Sequence, residues 1–188
     1  AFVDTYLGPI FVANGFGNVK ILGYDHNCDN TEFPIFVAKS DYISGSAFHL
    51  YGGNVSAMQK VYDLSGKDVY FTEQYTGANG NPDGDFNWHI NNVMLGSMLN
   101  MSRCAIEWNL AADVNNDPHT DGGCTECKGA LTIGTDRVLS RNVSYYIIGA
   151  MSKVVSPGAK RIATSGADAF KHAAFRNPDG SVAIVAFN

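Results

Sequence analysis

Four short stretches of the chain each end an apolar run in residues able to do chemistry. VKILGYDHN closes on Asp25, His26 and Asn27, SGSAFHLY on His49 and Tyr51, KDVYFTEQ on Glu73 and Gln74, and CAIEWN on Glu107, Trp108 and Asn109. Carboxylates, imidazoles, amides, a tyrosine hydroxyl and an indole are the set that hydrolysis of a glycosidic bond asks for. A carboxylate attacks the anomeric carbon, neutral hydrogen-bonding groups grip sugar hydroxyls, and an indole stacks on the pyranose ring. Glu73 is the focal carboxylate. Taken singly, each residue has a duller reading: a lone strand-end Glu is usually solvated, His49 in an apolar strand is more often a satisfied core histidine, and Trp108 more often core than platform. Core packing does not account for all of them at four successive run ends.

The elements that must position these groups follow from periodicity and punctuation. A helix is expected over residues 2–14, with Pro9 marking a kink or a fresh start and Asn14 and Gly15 ending it. Strands are expected at 19–27, 44–51, 68–72 and 104–110, and helices at 35–39, from Asn54 to a stop at Gly66, at 87–100 and at 142–155. The helix from Asn54 carries Val55, Met58, Val61 and Tyr62 on one stripe. Val69, Tyr70 and Phe71 suit a strand buried on both faces. Strand alternating with helix, each strand apolar and ending in polar residues, is the pattern of a parallel α/β sheet, whose strand C-termini gather function. A long loop over 111–125 precedes a hairpin-like GALTIGTDRVLS, and after Pro157 and Gly158 the chain turns to alternating strands around an NPDG turn. The expected organisation is therefore an α/β domain over 1–157 and the start of an antiparallel one over 158–188.

Composition narrows the partners. The 188 residues are 45% hydrophobic, enough for a sizeable core, and 13 basic against 18 acidic residues without a basic run argue against nucleic acid or an anionic membrane. Aromatics at 12% with only 16% charged residues suit a polar uncharged ligand such as a sugar. No run of about 18 apolar residues is present to span a membrane. The opening AFVDTYLGPIF, without Met, reads as the inside of a helix, so the chain is expected to be a piece of a longer, secreted or periplasmic protein. Cys124 and Cys127 form a lone C-x-x-C, open to a local disulfide, free thiols or, with His119 nearby, a metal, although no second pair at zinc spacing supports the last. Cys104 reads as a buried small hydrophobe, and the sequons at Asn54, Asn100 and Asn142 carry no assigned function.

VKILGYDHN, SGSAFHLYGG, VYFTEQYTG, IEWNLAAD and PHTDGGCTECKGALTI, followed by RNVSYYIIGAMSKVVSPGAKRIA and NPDGSVAIVAFN, together resemble glycoside hydrolase family 30, the glucosylceramidase-like retaining β-glycosidases. The similarity runs collinearly from about residue 2 to the end. It implies the second half of a (β/α)8 barrel, strands 5 to 8, followed by the beginning of a β-sandwich, with no cofactor and no metal. Glu73 matches the nucleophile, at the end of the seventh strand. Tyr51 matches the tyrosine that hydrogen-bonds it, and Asp25 and Trp108 match sugar-holding positions, with His49 and Asn109 beside them. The family's acid/base glutamate follows an asparagine, and no Asn-Glu pair occurs in this sequence. The expectation is thus a fragment lying downstream of its own acid/base, inactive or very weak alone, whose partner is the missing N-terminal half. Glucosylceramide, a β-1,6-glucan or another β-linked sugar fits as substrate. A non-catalytic carbohydrate-binding module built on the same barrel is the alternative, and a structural α/β domain without ligand the blandest reading.

Overall fold

Proline has no N–H for the helical ladder, and Pro9 stands in the helix Gly8–Ala13 directly after a π-helical turn at Val3–Leu7, the irregularity a proline inside a helical run brings. The computed structural model describes residues 1–165 and 170–188. It divides into two compact units, Ala1–Thr72 with Asn100–Ala105, and Glu73–Leu99 with Ile106–Asn188. Residues 166–169, inside the expected second domain, lie outside the described residues.

The first unit holds a four-stranded sheet in the order Ile21–Cys28, Ile43–Gly53, Asp68–Glu73, Ser102–Ala105. The first two strands pair in parallel, as do the last two. Ile43, Ala47, Phe48, Val69 and Phe71 are buried, together with Met58 and Val61 from the helix Ser56–Ser65. Apart from Ala47, these are side chains worth about 1.5–3 kcal/mol each when fully buried. Gly45 has no Cβ because one would stand 2.4 Å from the Asp68 carbonyl oxygen. Gly66, at φ 67°, closes the helix in the left-handed region glycine tolerates. Asn54 Oδ1 accepts the Ser56 N–H at the start of that helix.

The strand Asp68–Glu73 departs from the expected burial on both faces: Val69 and Phe71 are fully buried, but Tyr70 and Thr72 are half-buried. The reason is polar. The Tyr70 hydroxyl takes a hydrogen bond from Lys20 Nζ at 3.2 Å and keeps to the surface. The helix expected at 35–39 runs Glu32–Val37, because Asn30 Oδ1 accepts the N–H groups of Glu32 and Phe33 and starts it earlier. Cys104 is half-buried rather than buried, its thiol 3.6 Å from the Phe71 carbonyl.

The second unit is built of shorter pieces. Asn81 caps the helix Pro82–His89 by accepting the N–H groups of Asp83 and Gly84, and π-helical Ile90–Met94 and helix Leu95–Leu99 continue it. This helical run starts five residues before the expected position 87, at an Asn-Pro start signal that the surrounding Gly and Asn residues disguise. The expected strand at 104–110 is regular only over Ser102–Ala105. Beyond it the backbone finds other partners, with Trp108 N–H bonded to the Gln74 carbonyl at 2.7 Å and the Asn109 carbonyl to the Ala130 N–H at 2.8 Å, and the Trp108–Asn109 peptide is cis. Ala111–Asp113, Leu131–Ile133 and Leu139–Arg141 form a small mixed sheet that includes the expected hairpin. Helix Val143–Ser152 follows. Lys160–Ile162, Lys171–Arg176 and Val182–Phe187 form an antiparallel sheet. Its NPDG turn is pinned by buried Asn177, whose Nδ2 donates to the Val154 carbonyl and Ser181 Oγ while its Oδ1 accepts the Ser156 N–H.

Candidate functional site

In the first unit the C-terminal end of the strand Ile21–Cys28 is irregular. The parallel register slips between Tyr24 and His26, and Tyr24 and Asp25 have φ of 76° and 52°. Non-glycine residues occupy that region at a cost, and a bulge of this kind re-aims a side chain. Here the side chain is Asp25. Its Oδ1 accepts the Thr72 hydroxyl at 2.8 Å and lies 3.1 Å from His49 Nε2. Asp25 stays 66% exposed while His49 is 13% exposed, so a solvated carboxylate is held by two partners embedded in the sheet. Asn27 Oδ1 accepts the backbone N–H of Tyr51 at 3.1 Å, and the Tyr51 ring meets the His49 ring edge-on at 6.1 Å, leaving Tyr51 43% exposed. The structure therefore brings Asp25, His49 and Tyr51 together. Thr72 and Asn27, which position them, carry no signal in sequence beyond their place at strand ends.

In the second unit, half-buried Glu73 closes its strand, and buried Gln74 follows. Tyr75 forms a parallel bridge with Trp108. Trp108 itself is half exposed, an indole offered to solvent from an anchored backbone. Asn109 lies beside it, with its Oδ1 buried and without a hydrogen-bond partner among the described residues, as are Gln74 Oε1 and Glu107 Oε2. The feature that sequence reasoning misses is a buried pair, His89 Nδ1 to Glu107 Oε1 at 2.7 Å, with side chains only 4% and 3% exposed. Burial pushes the Glu107 carboxyl above its ordinary value, against the opposing pull of His89. His89 ends the helix Pro82–His89, which starts earlier than its sequence suggests, and only the fold carries it to Glu107.

Among the described residues no group of three or more His, Cys, Asp or Glu could hold a metal, and no helix is long and apolar enough to cross a membrane. Cys124 and Cys127 are joined as a disulfide, in a segment that the Thr76–Gly77 with Cys127–Lys128 ladder ties to the chain just after Glu73. Burial, with Asp29 adding to it, pushes the Cys28 thiol up to about 12, which leaves it unreactive.

Residues 158–188 match the family model of the glycosyl hydrolase family 30 beta sandwich domain. Over 99% of its length the chain is 29% identical to endo-1,6-beta-D-glucanase neg1 of Aspergillus fumigatus and 28% identical to an endo-1,6-beta-D-glucanase of Trichoderma harzianum, covering 39% of each. The solved structure of an endo-beta1,6-glucanase superposes with a TM-score of 0.90 at 34% identity, over 98% of this chain and 45% of that one. SrfJ from Salmonella typhimurium superposes with a TM-score of 0.80 at 28% identity, over 98% of this chain and 43% of that one. The chain thus spans about two fifths of the length of the curated relatives it matches. Motifs, family model, relatives and solved structures agree in what the chain is similar to, glycoside hydrolase family 30, whose beta sandwich domain residues 158–188 match.

Proposed function

We propose that the chain is the C-terminal part of a retaining glycoside hydrolase that cleaves β-1,6-linked glucan, with Glu73 as nucleophile. What carries the reading is the position of Glu73 at the C-terminal end of the strand Asp68–Glu73, in a chain similar over its whole length to endo-1,6-β-glucanases. The α/β unit then supplies strands 5 to 8 of a (β/α)8 barrel, and the antiparallel strands after residue 157 the start of a β-sandwich. The relatives' names favour a glucan over glucosylceramide. The Cys124–Cys127 disulfide fits a secreted protein.

In this reading Glu73 attacks the anomeric carbon to form a glycosyl-enzyme, and the Tyr51 hydroxyl orients it. Asp25, held by Thr72 and His49, and Asn109 hold sugar hydroxyls, and Trp108 stacks on a ring. A retaining mechanism needs a second carboxyl about 5–5.5 Å from the nucleophile to protonate the leaving oxygen. A glutamate in an Asn-Glu pair, absent from this sequence, would supply it from the rest of the barrel.

The test is release of reducing sugar from a β-1,6-glucan by the full-length barrel and by its Glu73→Gln variant. The variant is expected to lose about four orders of magnitude or more, the scale of removing a nucleophile. Undiminished release by Glu73→Gln overturns the assignment, and glucan binding without release by the full barrel would mark a binding module instead.

A further inference from the structure

We infer that the buried His89–Glu107 pair is a positioning device for Trp108, fixing the angle at which its indole is offered to a sugar. The inference deepens the proposed function and rests on it for the identity of the ligand. Three observations carry it. Glu107 immediately precedes Trp108, and its side chain is 3% exposed, tied at 2.7 Å to a His89 that is 4% exposed. The Trp108 backbone is held on its other sides, by its own N–H on the Gln74 carbonyl and by the Asn109 carbonyl on the Ala130 N–H. The indole nonetheless remains 48% exposed.

A buried carboxylate and imidazole give little net stability compared with apolar groups of the same volume. What such a pair adds over two leucines is direction, since a hydrogen bond fixes an angle that apolar contact leaves free. Residue 107 has no regular strand partner to fix it, because the ladder with Asp68–Glu73 ends at Ala105. The main-chain bonds of this stretch gather at Trp108, bridged to Tyr75, and at Asn109, so the side chain of Glu107 is the tie on the residue just before the indole. The bond to His89 survives whichever of the two side chains carries the proton, so it acts as a mechanical tie. Aromatic stacking on a pyranose depends on ring orientation, and misplacing a binding group by about 1 Å can cost as much as about 100-fold.

The chain contains two tryptophans, so Trp88→Phe leaves Trp108 as the single indole reporter. In that background, Trp108 emission and acrylamide quenching are read without sugar, and the affinity for a β-1,6-linked glucose oligosaccharide is read by emission change. Glu107→Leu is expected to shift emission and quenching and to weaken the oligosaccharide about tenfold or more, with Glu107→Gln, which keeps an acceptor for His89, close to the parent. Should Glu107→Leu not fold by circular dichroism, the double variant His89→Leu with Glu107→Leu replaces the pair by apolar groups and serves instead. A folded Leu variant with unchanged Trp108 emission and quenching overturns the inference. Shifted emission in a chain whose parent binds no oligosaccharide upholds the tie, while the glucanase reading falls only if the full-length barrel neither binds nor cleaves the glucan, so the two fail separately.

Discussion

Each unit of this molecule pairs a histidine with a carboxylate near the end of an apolar run, Asp25 with His49 in one and Glu107 with His89 in the other, and the two pairs differ in burial. Asp25 with His49 is 66% exposed at its carboxylate and shares it with the Thr72 hydroxyl, whereas Glu107 with His89 is 3% exposed and has one oxygen without a partner among the described residues. A solvated carboxylate can exchange water for a ligand's hydroxyl at little cost. A buried one cannot exchange anything, and its partner becomes structural. A carboxylate beside an imidazole thus suits binding where it is exposed and bracing where it is buried, which is how the proposed roles of Asp25 and Glu107 divide.

Breaking each pair sharpens the contrast. His89→Ala leaves the Glu107 carboxyl buried without its partner and is expected to destabilise the protein by about 3–5 kcal/mol. Asp25→Ala removes an exposed partner and should cost less than about 1 kcal/mol. Denaturant unfolding of both variants checks the pair of values, and equal costs would erase the distinction.

A smaller effect separates them by pH. Burial raises the Glu107 carboxyl in the folded state. Its contribution to stability is therefore full below the ordinary carboxylate range and is lost as pH rises through the raised folded value. Replacing it by Gln removes that loss, so the stability of Glu107→Gln relative to the parent should climb over that window, by about 1.4 kcal/mol for each pH unit separating the folded and unfolded values. Thermal melts from acid to neutral pH measure it. A constant difference would contradict the assignment of the slope to Glu107.

The legible part of the sequence was the part governed by local rules. Alternating apolar runs and helix stripes located the four-stranded sheet, Gly66 marked a helix end by its left-handed backbone, and NPDG marked the turn that Asn177 pins. Helix starts were less legible. Asn30 and Asn81 cap through side-chain bonds to N–H groups two or three residues on, and both stand among loop-forming residues that hide the signal. In the site, residues at strand ends could be listed from sequence, but not their pairing. The bulge that turns Asp25 toward His49 and Thr72 is a backbone event, and the meeting of His89 with Glu107, 18 positions apart, follows from tertiary packing alone.

The central claim is that Glu73 attacks the sugar. Incubating the protein with a 2-fluoro β-glucoside bearing a dinitrophenyl leaving group bypasses the need for a proton donor in the first step, because that group departs unprotonated. Intact-mass measurement followed by peptide mapping is predicted to show one glycosyl adduct, on the peptide containing Lys67 to Thr76 and at Glu73, released only slowly. An adduct at Glu107 or at any other carboxylate, with Glu73 unmodified, would contradict the account.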